Sequence, residues 1–406
     1  MNLKLIFIYL GLLSTELLIA QNQITELSLK QVIEMARMES PDAQTARHSF
    51  RSAYWNYKYY RANYLPSLSL TSDPNLNRAI NKITMGDGSV KFVEQNLLNT
   101  DLTLNLSQNL SWTGGSFFLE TSAQRMDLFS EHKYSWQTSP IMIGYRQSLF
   151  GYNSLKWDRR IEPVRYQEAK KSYVETLELV SANAIHKFFA LATAQSDYDI
   201  ASFNYANADT LYRYAQGRYN IGTITENEML QLELNRLTEE TNRMNARIEM
   251  DNCMQELRSY LGIHEDRELR VLVSPQVPDF SVNLNEALAL AYENSPDIQT
   301  MERRKLESES AVAKARANAG LKADIYLRFG LTQTADKLPE AYRNLLDQQY
   351  VSIGISLPIL DWGRGKGQVR VARSNRDLVY TQVEQSRTDF ELNVRKLVKQ
   401  FILYTP

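Results

Sequence analysis

The sequence holds one cysteine in 406 residues, so an internal disulfide is excluded. Cys253 lies inside a helical pattern and reads as a small buried hydrophobe. Past residue 20, no stretch approaches the ~18 consecutive apolar residues that a transmembrane helix needs. Glycine and proline are scarce, 16 and 11, which points to long uninterrupted elements. An excess of either charge is missing too. The net charge of −1 gives no field for nucleic acid. Nor is the chain disordered, since 23% of it is charged and 43% hydrophobic.

Catalytic patterns are also missing. His48, His132, His186 and His264 are scattered without metal-ligand spacing. None stands beside a serine or cysteine in a nucleophile setting. Gly363-Arg364-Gly365-Lys366-Gly367 lacks the spacing of a phosphate loop. The expectation is a protein that is not an enzyme, with no cofactor and no metal.

The N-terminus does carry a pattern. Lys4 gives a basic start, Leu5 to Leu13 is an uncharged apolar run, and Ala20 precedes Gln21. This predicts a secretory leader over residues 1–20. The run is too short for a membrane anchor, and no lipid-accepting cysteine follows it.

The chain also repeats itself. Leu29-Lys-Gln-Val-Ile-Glu-Met-Ala-Arg-Met-Glu-Ser-Pro-Asp42 resembles Leu284-Asn-Glu-Ala-Leu-Ala-Leu-Ala-Tyr-Glu-Asn-Ser-Pro-Asp297, at an offset of 255. The same offset puts Arg61-Ala62-Asn63 on Arg316-Ala317-Asn318. Leu29 to Glu39 reads as a short amphipathic helix. Ser40 is pushed out of the helical region by the next proline and can cap a second helix that begins at Pro41. That helix should run to about Asn63, where Leu65-Pro66 ends it. A second match, at offset 210, puts Ile143–Gly151 on Ile353–Asp361. Each unit reads short helix, helix, strands, long helix, and the first carries about 45 more residues between its outer strands.

The strand segments alternate. Leu102, Leu104, Leu106, Leu110 and Trp112 share one parity, against Thr103, Asn105, Ser107, Asn109 and Ser111. Val351, Ile353, Ile355, Leu357 and Ile359 alternate with Ser352, Gly354, Ser356 and Pro358, and Ile325 to Leu331 behaves likewise. Thr113-Gly114-Gly115 reads as a tight turn before Phe117. Segments of about nine to eleven residues, with Ser, Thr, Asn and Gly on the polar parity, fit tilted strands that face lipid on one side and a wet lumen on the other. Four to six such strands cannot close a barrel alone. They must be pooled across subunits.

From Tyr152 there is no glycine until Gly217, and the only proline is Pro163. A helix of about sixty residues would reach roughly 90 Å. Gln216 to Thr225 breaks it. Thr225 with Glu228 forms a capping box for a second helix that stops at Leu261-Gly262. Leu230, Leu234, Leu237, Thr241, Met244 and Ile248 read as a heptad seam that slips near Asp251 and resumes as Met250, Met254, Leu257 and Leu261. Residues 152–262 thus make an antiparallel hairpin with its tip near Gly222. Tyr198, Tyr205 and Tyr212, seven apart, read as interhelical packing.

These residues together resemble the TolC-like outer-membrane efflux family. The carriers are the duplicated Ser-Pro-Asp helix starts, Leu65-Pro66-Ser67-Leu68-Ser69-Leu70, Leu357-Pro358-Ile359-Leu360-Asp361-Trp362-Gly363-Arg364-Gly365 and Gly217-Arg218-Tyr219-Asn220-Ile221-Gly222. The fold class implied is mostly α with membrane β-strands: two repeats of long coiled helices, with strands given to a shared barrel. The resemblance implies a homotrimer in the bacterial outer membrane that extends into the periplasm. It would be a passive duct for drugs or other solutes, or a type I secretion channel, working with a periplasmic adaptor and an inner-membrane pump. Arg218, Tyr219, Gly222 and Thr223 would fall at the adaptor-facing tip. Pro66, Gly151, Pro358, Gly363 and Gly365 would fall at strand–helix junctions.

The organisation expected is a first repeat over 21–279, with strands about 65–149 and the hairpin 152–262, and a second over 280–406, with strands about 323–359. Asp361 is followed by 45 residues, so the second repeat is expected to lack a tip and returning helix. Two alternatives stand beside the channel: a soluble periplasmic coiled-coil scaffold, and a non-functional fragment of such a channel.

Overall fold

A computed structural model describes residues 25–265, 268–274 and 280–404. The leader expected over residues 1–20 lies outside the described residues. In chain order the elements are β1 (Thr25–Ser28), α1 (Leu29–Glu39), α2 (Pro41–Ala62), β2 (Ser67–Thr71), β3 (Asn75–Thr84), β4 (Val90–Asn109), β5 (Ser116–Leu128), β6 (Lys133–Ser148), α3 (Ser154–Asn220), α4 (Glu226–Leu261), β7 (Leu269–Leu272), α5 (Leu284–Asn294), α6 (Pro296–Ala319), β8 (Lys322–Ala335), β9 (Leu346–Ser356) and α7 (Arg364–Tyr404).

The duplicated Ser-Pro-Asp segments fold alike. Ser40 Oγ accepts from the Ala43 amide at 3.1 Å, and Ser295 Oγ accepts from the Asp297 amide at 3.1 Å. In both, proline fills a first-turn position whose N–H would have no partner. Ser40 is fully buried, so that hydrogen bond satisfies a group that would otherwise be stranded.

The chain divides into two compact units. One comprises the described parts of Met1–Arg51 and Lys171–Ser281. Its core joins Val32 and Ala36 of α1, Ala43 of α2, Val180, Ala184, Phe188 and Leu191 of α3, and Leu257 and Leu261 of α4. Strands β1 and β7 pair in parallel at its margin, from Thr25↔Leu269 to Ser28↔Leu272. The Gln195 amide fastens β7 to α3: it donates to the Leu269 carbonyl at 3.2 Å and accepts from the Val271 N–H at 3.3 Å.

Within this unit α3 and α4 form the antiparallel hairpin. The α3 seam alternates small and large: Ala194, Ala201, Ala208 and Ala215 interleave with Tyr198, Tyr205 and Tyr212. Each tyrosine ring carries a guanidinium of α4, with Arg247 over Tyr198 at 5.5 Å, Arg243 over Tyr205 at 4.1 Å and Arg236 over Tyr212 at 5.5 Å.

This corrects the seam read from sequence. The stripe of α4 that meets α3 is Leu232, Arg236, Glu239, Arg243, Ala246, Met250 and Leu257, which keeps heptad spacing past Asp251. Leu230, Leu234, Leu237, Met244 and Ile248 lie exposed on another face. The slip at Asp251 was the join between two different stripes. Arginine on tyrosine does the work that a leucine pattern advertises, so hydropathy alone picked the wrong face.

The turn between the helices is closed at both ends. The Gly222 N–H donates to Tyr219 O at 2.8 Å and the Thr223 N–H to Arg218 O at 2.9 Å, with Gly222 at φ +77°. This is a Schellman closure, which needs a residue at ease in the left-handed region. Thr225 then caps α4, accepting from the Glu228 N–H while Glu228 accepts from the Thr225 N–H at 2.8 Å. These bonds hold the Glu228 carboxyl below its usual value. Thr225→Ala is expected to speed amide exchange in the first turn of α4 about fivefold, read by hydrogen exchange with mass spectrometry, with the core amides unchanged.

The other unit comprises Ser52–Lys170 and the described part of Val282–Pro406. Its sheet runs β2-β4-β5-β6-β8-β9, with β3 also on β4. All its pairings are antiparallel. Tyr57 stacks on Tyr166 at 4.5 Å, and the Tyr64 hydroxyl donates to Leu155 O at 2.8 Å, which ties α2 to the start of α3. Strand β4 ends at Asn109, so Leu110 and Trp112, read as strand, belong to the turn. There the Leu110 N–H donates to Gly115 O at 2.9 Å.

Candidate functional site

The sheet is inside out by the standards of a soluble protein. One face is apolar across its width, with the pairs Leu68↔Leu106, Leu106↔Leu119, Leu119↔Ile143, Ile143↔Phe329 and Leu327↔Val351 in register. Most of this face is exposed, with Ile355 at 71%. The polar parity is the half-buried one, Thr103, Asn105 and Ser107 among it. A curled sheet shelters its concave face, so the polar residues line the hollow and the apolar ones the outer wall. An apolar band of this extent suits hydrocarbon and not water.

The concave face is smoothed by glycine. The Phe118 ring lies over Gly144, where an added Cβ would stand 2.0 Å from Phe118 Cζ. Met142 lies over Gly330, with 2.7 Å from such a Cβ to its sulfur. Arg328 on β8 reaches Glu120 on β5 at 3.5 Å, spanning β6 between them. Asn105 Oδ1, Arg328 Nε and Gln348 Oε1 have no protein partner here. Polar atoms left over on this wall are groups for lumen water to satisfy.

The junction residues sit where strands meet helices. Pro66 lies between α2 and β2, Gly151 between β6 and α3, and Pro358 just past β9. Gly363, at φ +87°, and Gly365 open α7. A residue passed over in the sequence organises this last elbow. The Asp361 carboxylate accepts from the Gly363 N–H at 2.9 Å and the Gly365 N–H at 2.8 Å, and both hold it below the usual carboxylate range. The signal was present: Asp followed by glycines at the head of a helical pattern is a cap. Gly365 also lies against α6, where a Cβ would stand 3.0 Å from that of Ala319. Arg218, Tyr219, Gly222 and Thr223 come together in the Schellman turn, with Ile221 beside them highly exposed.

No group of His, Cys, Asp and Glu among the described residues has the geometry to hold a metal ion. No described helix is long and apolar enough to cross a membrane. The model of the family described as outer membrane efflux protein matches residues 32–263. The chain belongs to that family. It is thus an efflux channel protein of the bacterial outer membrane that extends into the periplasm, and not an enzyme.

Solved structures agree on the fold of this efflux protein. The Campylobacter jejuni CmeC outer membrane channel is 15% identical, with 89% of this chain and 68% of that one covered at a TM-score of 0.63. The Vibrio cholerae outer membrane protein VceC is 14% identical, covering 89% and 75% at 0.60. A membrane protein from Pseudomonas aeruginosa is 12% identical, covering 92% and 76% at 0.64. No curated protein sequence matches the chain.

Proposed function

We propose that three copies of this chain form one duct, each giving its sheet to a shared barrel and its helices to a periplasmic tube. The observation that carries this is the inside-out sheet with two open edges, β2 with β3 on one side and β9 on the other. Six strands across are too few to close, since about eight are needed even for a filled interior. Open edges in a membrane leave backbone groups unsatisfied, so they must meet edges of other copies. The exposed stripe Leu230, Leu234, Leu237, Met244 and Ile248 gives the helices a second apolar face for neighbours.

In this reading residues 21–279 and 280–406 are two repeats of one design. The turn of Arg218, Tyr219, Gly222 and Thr223 meets a periplasmic adaptor protein, with an inner-membrane pump behind it. Transport is passive: drugs or other solutes pass down the lumen, no bond is made, and the pump supplies the energy. Pro66, Gly151, Pro358, Gly363 and Gly365 are elbows where the chain changes from wall to tube. The experiment is the mass of the oligomer extracted from outer membranes in mild detergent. A trimer supports the duct. A monomer recovered in buffer without detergent would overturn it in favour of a soluble scaffold.

A further inference from the structure

The two sequence offsets identify which strands correspond. Subtracting 255 places the start of β8, Lys322, on Ser67, the start of β2. Subtracting 210 places β9, 346–356, on residues 136–146 of β6. In the second repeat these two strands pair directly, Ile325 with Ile353. In the first they are separated by β4 and β5, which have no counterpart. The surplus of about 45 residues is therefore a complete extra hairpin.

The turn of that hairpin keeps a trace of its origin. Leu110-Ser111-Trp112-Thr113-Gly114-Gly115 resembles Leu360-Asp361-Trp362-Gly363-Arg364-Gly365, the elbow at which β9 gives way to α7. After the first copy the chain does not leave for a helix. It turns at Gly114, φ +80°, and returns as β5.

The hairpin is wall and not ornament. Strand β4 is bonded to β2 and β3 on one side and β5 on the other, and β5 to β4 and β6. Removing the pair would split the sheet. Both strands keep the alternation of the rest, with Leu106 and Leu119 paired on the apolar face and Asn105 and Glu120 on the polar one.

We propose that each copy contributes six strands to the barrel in place of the four that two plain repeats would give, so that the pore is widened by an inserted membrane hairpin. This rests on the shared-barrel reading above. Three copies of six give eighteen strands, against twelve for three copies of four. Barrel diameter grows roughly linearly with strand number, so the bore is about one and a half times wider, in the range where an open aqueous channel remains.

The test uses the full chain with Cys253→Ala and single cysteines labelled by a membrane-impermeant maleimide in outer membranes. Positions Asn105 and Ser122 probe the polar face of the hairpin, Leu104 and Leu119 its apolar face, and Ser352 and Ile353 serve as controls on β9. The expected result is labelling at Asn105, Ser122 and Ser352, and protection at Leu104, Leu119 and Ile353 until the membrane is dissolved. Alternation on β9 with uniform labelling on β4 and β5 would overturn the inserted hairpin and leave the channel standing. Loss of alternation on β9 as well would overturn both.

Discussion

Leu119→Arg is expected to remove this protein from the outer membrane, while Ser122→Arg, three residues along the same strand, is expected to leave it there. Leu119 sits in the middle of the apolar face, between Leu106 on β4 and Ile143 on β6, and is exposed. An arginine near the midplane of the lipid face of a barrel costs about 2–4 kcal/mol. If three copies share the barrel, that cost is met three times in one assembly. Ser122 pairs with Thr103 on the polar parity, where a cation can keep its water. Fractionation of cells with immunodetection reads both variants. Equal recovery of the two in the outer membrane would contradict the assignment of faces.

Arg303→Leu is the second large effect. Arg303 of α6 grips Glu168 of α3 through two bonds, Nε at 2.5 Å and Nη2 at 3.0 Å, and reaches Glu307 through Nη1 at 3.0 Å. Thr300 adds a bond to Glu168 at 2.9 Å. Both partners are mostly shielded, at 22% and 19% side-chain exposure. Burial alone would raise the Glu168 carboxyl, but Arg303 and Thr300 outweigh it and hold it low. Removing the guanidinium strands a shielded carboxylate, at about 3 kcal/mol.

The pH dependence should flatten. In the native protein a lowered Glu168 contributes stability above its unfolded value, and this is lost as pH falls through the folded one. In the variant the Arg303 bonds are gone and burial is opposed only by the Thr300 hydrogen bond and the Arg165 charge, so the folded value moves up and that contribution shrinks. The loss of stability relative to the native protein should therefore be larger at pH 7, where the carboxyl is ionised, than at pH 4. Thermal unfolding at pH 4 and pH 7 checks it. A drop of equal size at both would mean that the pair acts through packing alone.

Much of the fold was legible because its signals are local. Ser-Pro-Asp sets a cap and a first-turn proline whatever surrounds it, and Thr225 with Glu228 closes on itself. Alternation in β4 and β9 survives because lipid outside and water inside impose a strict period of two. The α3–α4 seam was misread because its contacts are cation on ring, which a hydropathy pattern cannot see. Asp361 carries a local cap signal as well, hidden in the glycine-rich run whose amides it binds. Arg218, Tyr219, Gly222 and Thr223 gather in one turn because the left-handed glycine and the cap at Thr225 are also local signals.

The tyrosine ladder has a further implication. Tyr198, Tyr205 and Tyr212 recur every seven residues, as do the alanines between them, and Arg236 and Arg243 are also seven apart. Sliding α4 by one heptad would set Arg236 on Tyr205 and Arg243 on Tyr198, so the ladder alone does not choose between the two. The ladder is a scale without a zero mark. The zero is supplied at both ends: by the tip, where Gly222, Thr223 and Thr225 close the turn, and by the base, where Leu257 and Leu261 are buried with Phe188 and Leu191. A lengthened tip would therefore loop out and leave the rungs where they are, because the buried base still counts from the other end.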